Sequence, residues 1–102
     1  MEEVIYTHAQ WRVKPGREAE FIEAWEELAN VFLNLPARPL RSTLIQSLID
    51  VSLFYSFGEW RSLTDIVAMR HTPRAREAFQ KIMDLCIEAT PSTYRRIADI
   101  QL

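Results

Sequence analysis

The chain is poor in the residues that most often announce chemistry. Its 102 residues include two glycines, one cysteine and two histidines. Two glycines are too few for a Gly-rich phosphate loop or a dinucleotide fingerprint. The lone cysteine, Cys86, cannot form an internal disulfide, and no Cys/His spacing suits a metal. No metal and no resident cofactor are therefore expected, and no nucleophile–base signature stands out. Basic clusters with interleaved aromatics are missing, and the net charge is −2, which argues against nucleic acid as the main partner. Arg95-Arg96 is only a pair. No apolar run approaches the ~20 residues of a membrane span. Met1-Glu2-Glu3 is acidic and runs straight into a strand pattern, unlike a signal peptide. These absences lead to the expectation of a soluble protein in the cytoplasm.

What is present is an ordinary globular composition, 48% hydrophobic and 25% charged. The length suits a single domain over residues 1–102, with a core that is feasible but not generous. The most informative stretch runs from Leu53 to Trp60. Alternate side chains of a strand point to opposite faces. Leu53, Tyr55 and Phe57 would line one face, and Phe54 and Trp60 the other. A strand that is apolar on both faces is buried on both. The remaining chain has helix enough to cover one side of a sheet, so a second copy is the simplest cover for the other.

Val4 to Val13 reads as strand one, stopped by Lys14-Pro15-Gly16. From Arg17 the period turns helical, with Phe21, Trp25, Leu28 and Phe32 on one stripe. Glu18 and Glu20 suit the first turn of that helix, and the loop Asn34 to Pro39 ends it. Leu40 to Ile49 reads as strand two and Val51 to Trp60 as strand three. Ser62 caps a short helix, with Asp65 answering it. This helix breaks near Arg70-His71 and restarts with Thr72 as cap and Pro73 at the first position. Its stripe is Phe79, Ile82, Met83 and Cys86, the last taken as a small core residue. Pro91 is expected to end it, leaving Ser92 to Gln101 as strand four. The order βαββαβ is ferredoxin-like, an α+β fold with a four-stranded antiparallel sheet and both main helices on one face.

Two stretches carry a family resemblance. The run from Trp11 to Phe21, through Val13-Lys14-Pro15-Gly16, resembles the strand–turn–helix of the antibiotic-biosynthesis-monooxygenase-like family. Phe57-Gly58-Glu59-Trp60-Arg61-Ser62, followed by Arg70-His71-Thr72-Pro73, resembles that family's strand-ending Trp, Ser-capped helix and polar residue before a Ser/Thr-Pro. The resemblance implies a dimeric α+β barrel with two sheets face to face, and a pocket between each sheet and its own helices. It implies relatives that include cofactor-independent oxygenases acting on polycyclic aromatics and haem-degrading enzymes. The haem-degrading members use an Asn in strand one, the strand-ending Trp and a His in the following helix. Here only Trp60 matches. Ala9 stands at the strand-one position, and Met69 or Arg70 near the helical one, which disfavours haem degradation.

Small residues alternate with large ones on strands one and three. Thr7, Ala9, Ser56 and Gly58 would leave a hollow flanked by Trp11 and Trp60, suited to a flat apolar ligand. Trp25 and Phe79 from the helices either border that hollow or fill it. Trp60 packs as core or offers its N–H at the pocket edge. His71 sits at a helix break, as a proton shuttle or as a surface group near the helix end. Tyr55 and Tyr94 carry polar tips that can donate to a substrate oxygen, or serve as large strand residues. His8 shares a face with Tyr6, Gln10 and Arg12 and reads as part of an interface network. The leading expectation is a cofactor-independent monooxygenase for a small apolar aromatic substrate, with Trp60, His71 and Tyr55 as the catalytic candidates. A non-catalytic dimeric module that binds a small ligand or another protein is the alternative.

Overall fold

A computed structural model describes residues 3–102. Strand β1 spans Ile5–Val13 and helix α1 Glu18–Leu33, followed by β2 (Arg41–Gln46) and β3 (Leu53–Trp60). Helices α2 (Leu63–Arg70) and α3 (Pro73–Asp84) precede β4 (Cys86–Arg95). The four strands lie in the order β2-β3-β1-β4, and every neighbouring pair is antiparallel. This is the ferredoxin-like arrangement, with the second helical segment divided in two.

Local chemistry explains the joints. Gly16 adopts φ 84°, a left-handed turn that a side chain would resist. Ser62 accepts a hydrogen bond from the Asp65 backbone N–H at 3.1 Å and so caps α2. Thr72 occupies the cap position of α3, yet its hydroxyl donates back to the Ala68 carbonyl at 3.0 Å. The α2–α3 corner is thus held by that bond and by Pro73, whose fixed φ suits a first helical position.

Burial alternates strictly along β3. Phe54, Ser56, Gly58 and Trp60 are buried, whereas Leu53, Tyr55, Phe57 and Glu59 are half-buried. On the buried face Phe21 meets Phe54 at 4.7 Å between ring centroids, and Phe32 meets Trp60 edge-on at 6.1 Å. Phe21, Phe54, Trp60, Leu28, Ile66, Ile82 and Val13 form the fully buried centre. The molecule is 19 Å across its thinnest direction, which leaves room for one sheet and one layer of helices of ~10 Å diameter. No helix or strand among the described residues covers the other face of the sheet. There His8 packs among Tyr55, Phe57 and Tyr94, with centroids 5.0–5.7 Å away. No helix among the described residues is long and apolar enough to cross a membrane.

Three boundaries differ from the expectation. Strand four begins at Cys86 and ends at Arg95, so Cys86 is not helical and Pro91 lies inside a strand. The spacing of Ile82, Met83 and Cys86 suits a helix, but pairing with β1 overrides it: Val13 pairs with Cys86, and the Lys14 N–H bonds the Leu85 carbonyl at 2.9 Å. Pro91 is tolerated because β4 is an edge strand, where a missing N–H falls toward solvent. Residues 96–102 form no regular structure. Burial pushes the Cys86 thiol up to about 11, against a smaller opposing pull from Lys14, so it stays protonated at neutral pH.

The β2–β3 connection is also longer than the alternation suggested. Ser47 Oγ accepts from the backbone N–H groups of Ile49 and Asp50, which turns the chain out of β2 early. Asp50 then accepts from the Ser52 hydroxyl at 2.7 Å, the Arg12 guanidinium at 2.8 Å and the Ser52 N–H at 3.1 Å. These donors, the Ser52 hydroxyl foremost, hold the Asp50 carboxyl at about 2. A depressed carboxyl contributes stability above its unfolded pKa and loses it as pH falls through the folded value. The hairpin clasp is therefore expected to persist at mildly acid pH and fail only toward pH 2. Side-chain carboxyl NMR should place the Asp50 midpoint well below the ordinary carboxylate range. An ordinary midpoint would mean the clasp is absent.

Candidate functional site

The buried face of the sheet is not filled to its edge. The register pairs Thr7 with Gly58 and Ala9 with Ser56, so four small residues form one patch. Above them lies a cavity of about 380 Å³, whose walls include Trp11, Trp25, Phe32, Trp60, Met69 and Phe79. That size suits a small flat molecule. Trp25 and Phe79 border the space rather than occupy it. All three tryptophans of the chain stand on this wall.

Two hydrogen bonds tie the tryptophans to the floor. Trp11 Nε1 donates to Ser56 Oγ at 2.9 Å, and Trp60 Nε1 donates to Thr7 Oγ1 at 3.0 Å. Each links β1 to β3 side chain to side chain, in opposite directions. Trp60 therefore does not offer its N–H at the pocket edge, because Thr7 already takes it. Each hydroxyl oxygen accepts a hydrogen bond from an indole N–H, so its own O–H is turned elsewhere. A hydroxyl that accepts one hydrogen bond becomes a better donor of the next.

Gly58 is required by this geometry. A Cβ there would lie 2.5 Å from Thr7 Oγ1 and 2.9 Å from Trp60 Nε1. The missing side chain is what lets the indole reach the threonine.

The structure thus brings Thr7, Ala9, Trp11, Trp25, Ser56, Gly58 and Trp60 around one cavity. It does not bring Tyr55 or His71 there. Tyr55 lies on the uncovered face, because its position in β3 alternates with Ser56, and its ring packs on His8. His71 caps the C-terminus of α2 through its backbone and is exposed, outside the cavity wall. Tyr94 also faces the open side, 52% exposed. Sequence reasoning placed Phe79 at the hollow but missed the rest of its helical rim, Arg76, Gln80 and Met83. The signal was there: these four positions recur at the spacing of one helix face. No group of three or more His, Cys, Asp or Glu among the described residues is placed to hold a metal ion.

The profile of the family described as antibiotic biosynthesis monooxygenase matches residues 4–81. No curated protein matches the chain. Solved structures with the same fold include a conserved protein from Methanosarcina mazei, 18% identical with TM-score 0.82, covering 94% of this chain and 95% of that one. A conserved protein of unknown function from Bacteroides thetaiotaomicron is 18% identical, TM-score 0.80, covering 94% and 100%. A variant of SnoaB, a cofactor-independent oxygenase from Streptomyces nogalater, is 19% identical, TM-score 0.76, covering 100% and 98%. At such identities the structural likeness speaks for the fold.

Two substitutions test the floor. Gly58→Ala should cost about 1–3 kcal/mol, since the methyl must displace an indole–hydroxyl pair. Ser56→Ala should cost a similar ~1–3 kcal/mol by stranding the buried Trp11 N–H. Urea unfolding reads both. Wild-type stability in either variant would mean the bonds are not formed.

Proposed function

The chain belongs to the antibiotic biosynthesis monooxygenase family, and on that premise we propose that it is a cofactor-independent oxygenase acting on a flat aromatic substrate. The observation that carries this reading is the cavity, with aromatic walls and two oriented hydroxyls on its floor. SnoaB, a cofactor-independent oxygenase by name, shares the fold.

In such a reaction an electron-rich aromatic anion reacts with O₂ directly. Atoms and electrons balance without a further reductant when a ring-flanked CH₂ becomes C=O. One oxygen of O₂ stays on the carbon, and the other leaves as water with the two displaced hydrogens. The protein's work is then to hold the anion flat, keep water out and stabilise the charge on its oxygen. The indole of Trp60, edge-on to Phe32 and beside Met69 on the wall, bounds the slot for the rings. The Thr7 and Ser56 hydroxyls, each fixed by an indole, are the donors for the substrate oxygen. Neither Tyr55 nor His71 enters this scheme, because neither borders the cavity.

The same reading extends to assembly. A second copy covers the open sheet face, where Tyr55, Phe57 and Tyr94 surround His8 and Ile45 is 47% exposed. Aromatic patches of this kind seldom stay wet.

Two measurements follow. With a tricyclic phenol bearing a ring-flanked CH₂, O₂ uptake in an electrode cell should equal ketone formed. Thr7→Val should lower kcat about a hundredfold by removing one donor from a nearly isosteric side chain. Tight binding of such compounds with no O₂ uptake would instead favour a non-catalytic binding module. In sedimentation equilibrium the wild type should be a dimer and Phe57→Asp a monomer, since a carboxylate cannot be buried there unpaired. A monomeric wild type would remove the assembly from the reading.

A further inference from the structure

The charge around the cavity is one-sided. The chain has more acidic than basic residues, 14 against 12, yet no Asp or Glu lines the cavity, while Arg70 and Arg76 both do. His8 borders it too, but its ring is turned to the opposite face of the sheet, against Tyr55, Phe57 and Tyr94. Both arginines are exposed, which puts them at the rim rather than the floor. Among the described residues neither has a carboxylate partner, although five other basic side chains do. Arg70 Nη2 donates to Thr93 Oγ1 at 3.1 Å, which anchors its guanidinium over β4 beside the opening. Arg76 stands in the first turn of α3, where a cation is disfavoured by the helix dipole and no acidic residue offsets it. Helix stability therefore does not account for an arginine there.

We propose that Arg70 and Arg76 form an anion clamp at the mouth, selecting aromatic ligands that carry a carboxylate at the end away from the floor. This rests on the reading of the cavity as a substrate site and names the class of substrate it takes. The rings lie between Trp25, Trp60 and Phe79, and the anionic end meets the two guanidinium groups. Neither guanidinium has its charge met by an acid, and although Arg70 spends one Nη2 donor on Thr93, its remaining N–H groups and those of Arg76 are left for an incoming carboxylate, whose two oxygens suit the planar fork.

The test is a matched pair of probes, 2-naphthoate and its neutral counterpart 2-naphthamide, titrated into the protein while its tryptophan fluorescence is followed. The naphthoate should bind about tenfold tighter or more at low salt, and added salt should shrink that preference. Arg70→Gln/Arg76→Gln should abolish the preference and leave naphthamide affinity unchanged. Arg74→Gln, a neighbouring arginine off the cavity wall, should keep it. Equal affinities in the wild type, or a preference that survives the double substitution, would overturn the clamp and leave the cavity reading standing. Failure of both probes to bind would overturn the two together.

Discussion

Everything else in this molecule hangs on the register in which β1 pairs with β3. With Thr7 opposite Gly58 and Ala9 opposite Ser56, four small side chains share the face that meets the helices. A slip of one residue would send every side chain to the other face. Tyr6, His8 and Tyr55 would then point into the core, and Trp11 and Trp60 would point away from it. The aromatic core and the hollow beside it are two results of one alignment.

The two indole–hydroxyl bonds join that alignment to chemistry. Trp11 and Trp60 are 3% and 1% exposed, so their N–H groups must find partners inside. They find them on the opposite strand, at Ser56 and Thr7. Stability and the proposed site therefore draw on the same atoms: the hydroxyls that satisfy the core are also the polar points on the cavity floor. Gly58 pays for this arrangement by giving up a side chain between the two partners. Such a floor cannot be altered for function without being felt in folding.

The two faces of the sheet differ in what completes them. One layer of helix closes the first, apart from the cavity. The second carries a polar-tipped aromatic cluster in place of an aliphatic core, with His8 ringed by Tyr55, Phe57 and Tyr94. A face of that composition has polar tips that can be hydrated and ring area that a partner can bury.

How much was legible beforehand follows from the range of each interaction. The period of Phe21, Trp25, Leu28 and Phe32 marks a helix, and Lys14-Pro15-Gly16 marks a turn, because both signals are local. Strand alternation grouped Thr7 with Ala9 and Ser56 with Gly58 for the same reason. The start of β4 was not legible: Ile82, Met83 and Cys86 keep helical spacing, and only the pairing of Val13 with Cys86 turns the chain into strand. The exclusion of Tyr55 and His71 from the cavity was likewise a matter of which face and which side of a helix end they occupy. By itself, then, the sequence determined most of the elements, their order and the two pairs of small residues, Thr7 with Ala9 and Ser56 with Gly58, since these depend on neighbours along the chain. Tertiary structure alone decided where β4 begins, that both indole N–H groups are taken, and that Arg70 and Arg76 meet at one opening. The first two outcomes join residues far apart in the chain, and the third sets two neighbouring helices against the distant β4, where Arg70 meets Thr93, so all three arise only when sheet and helices pack.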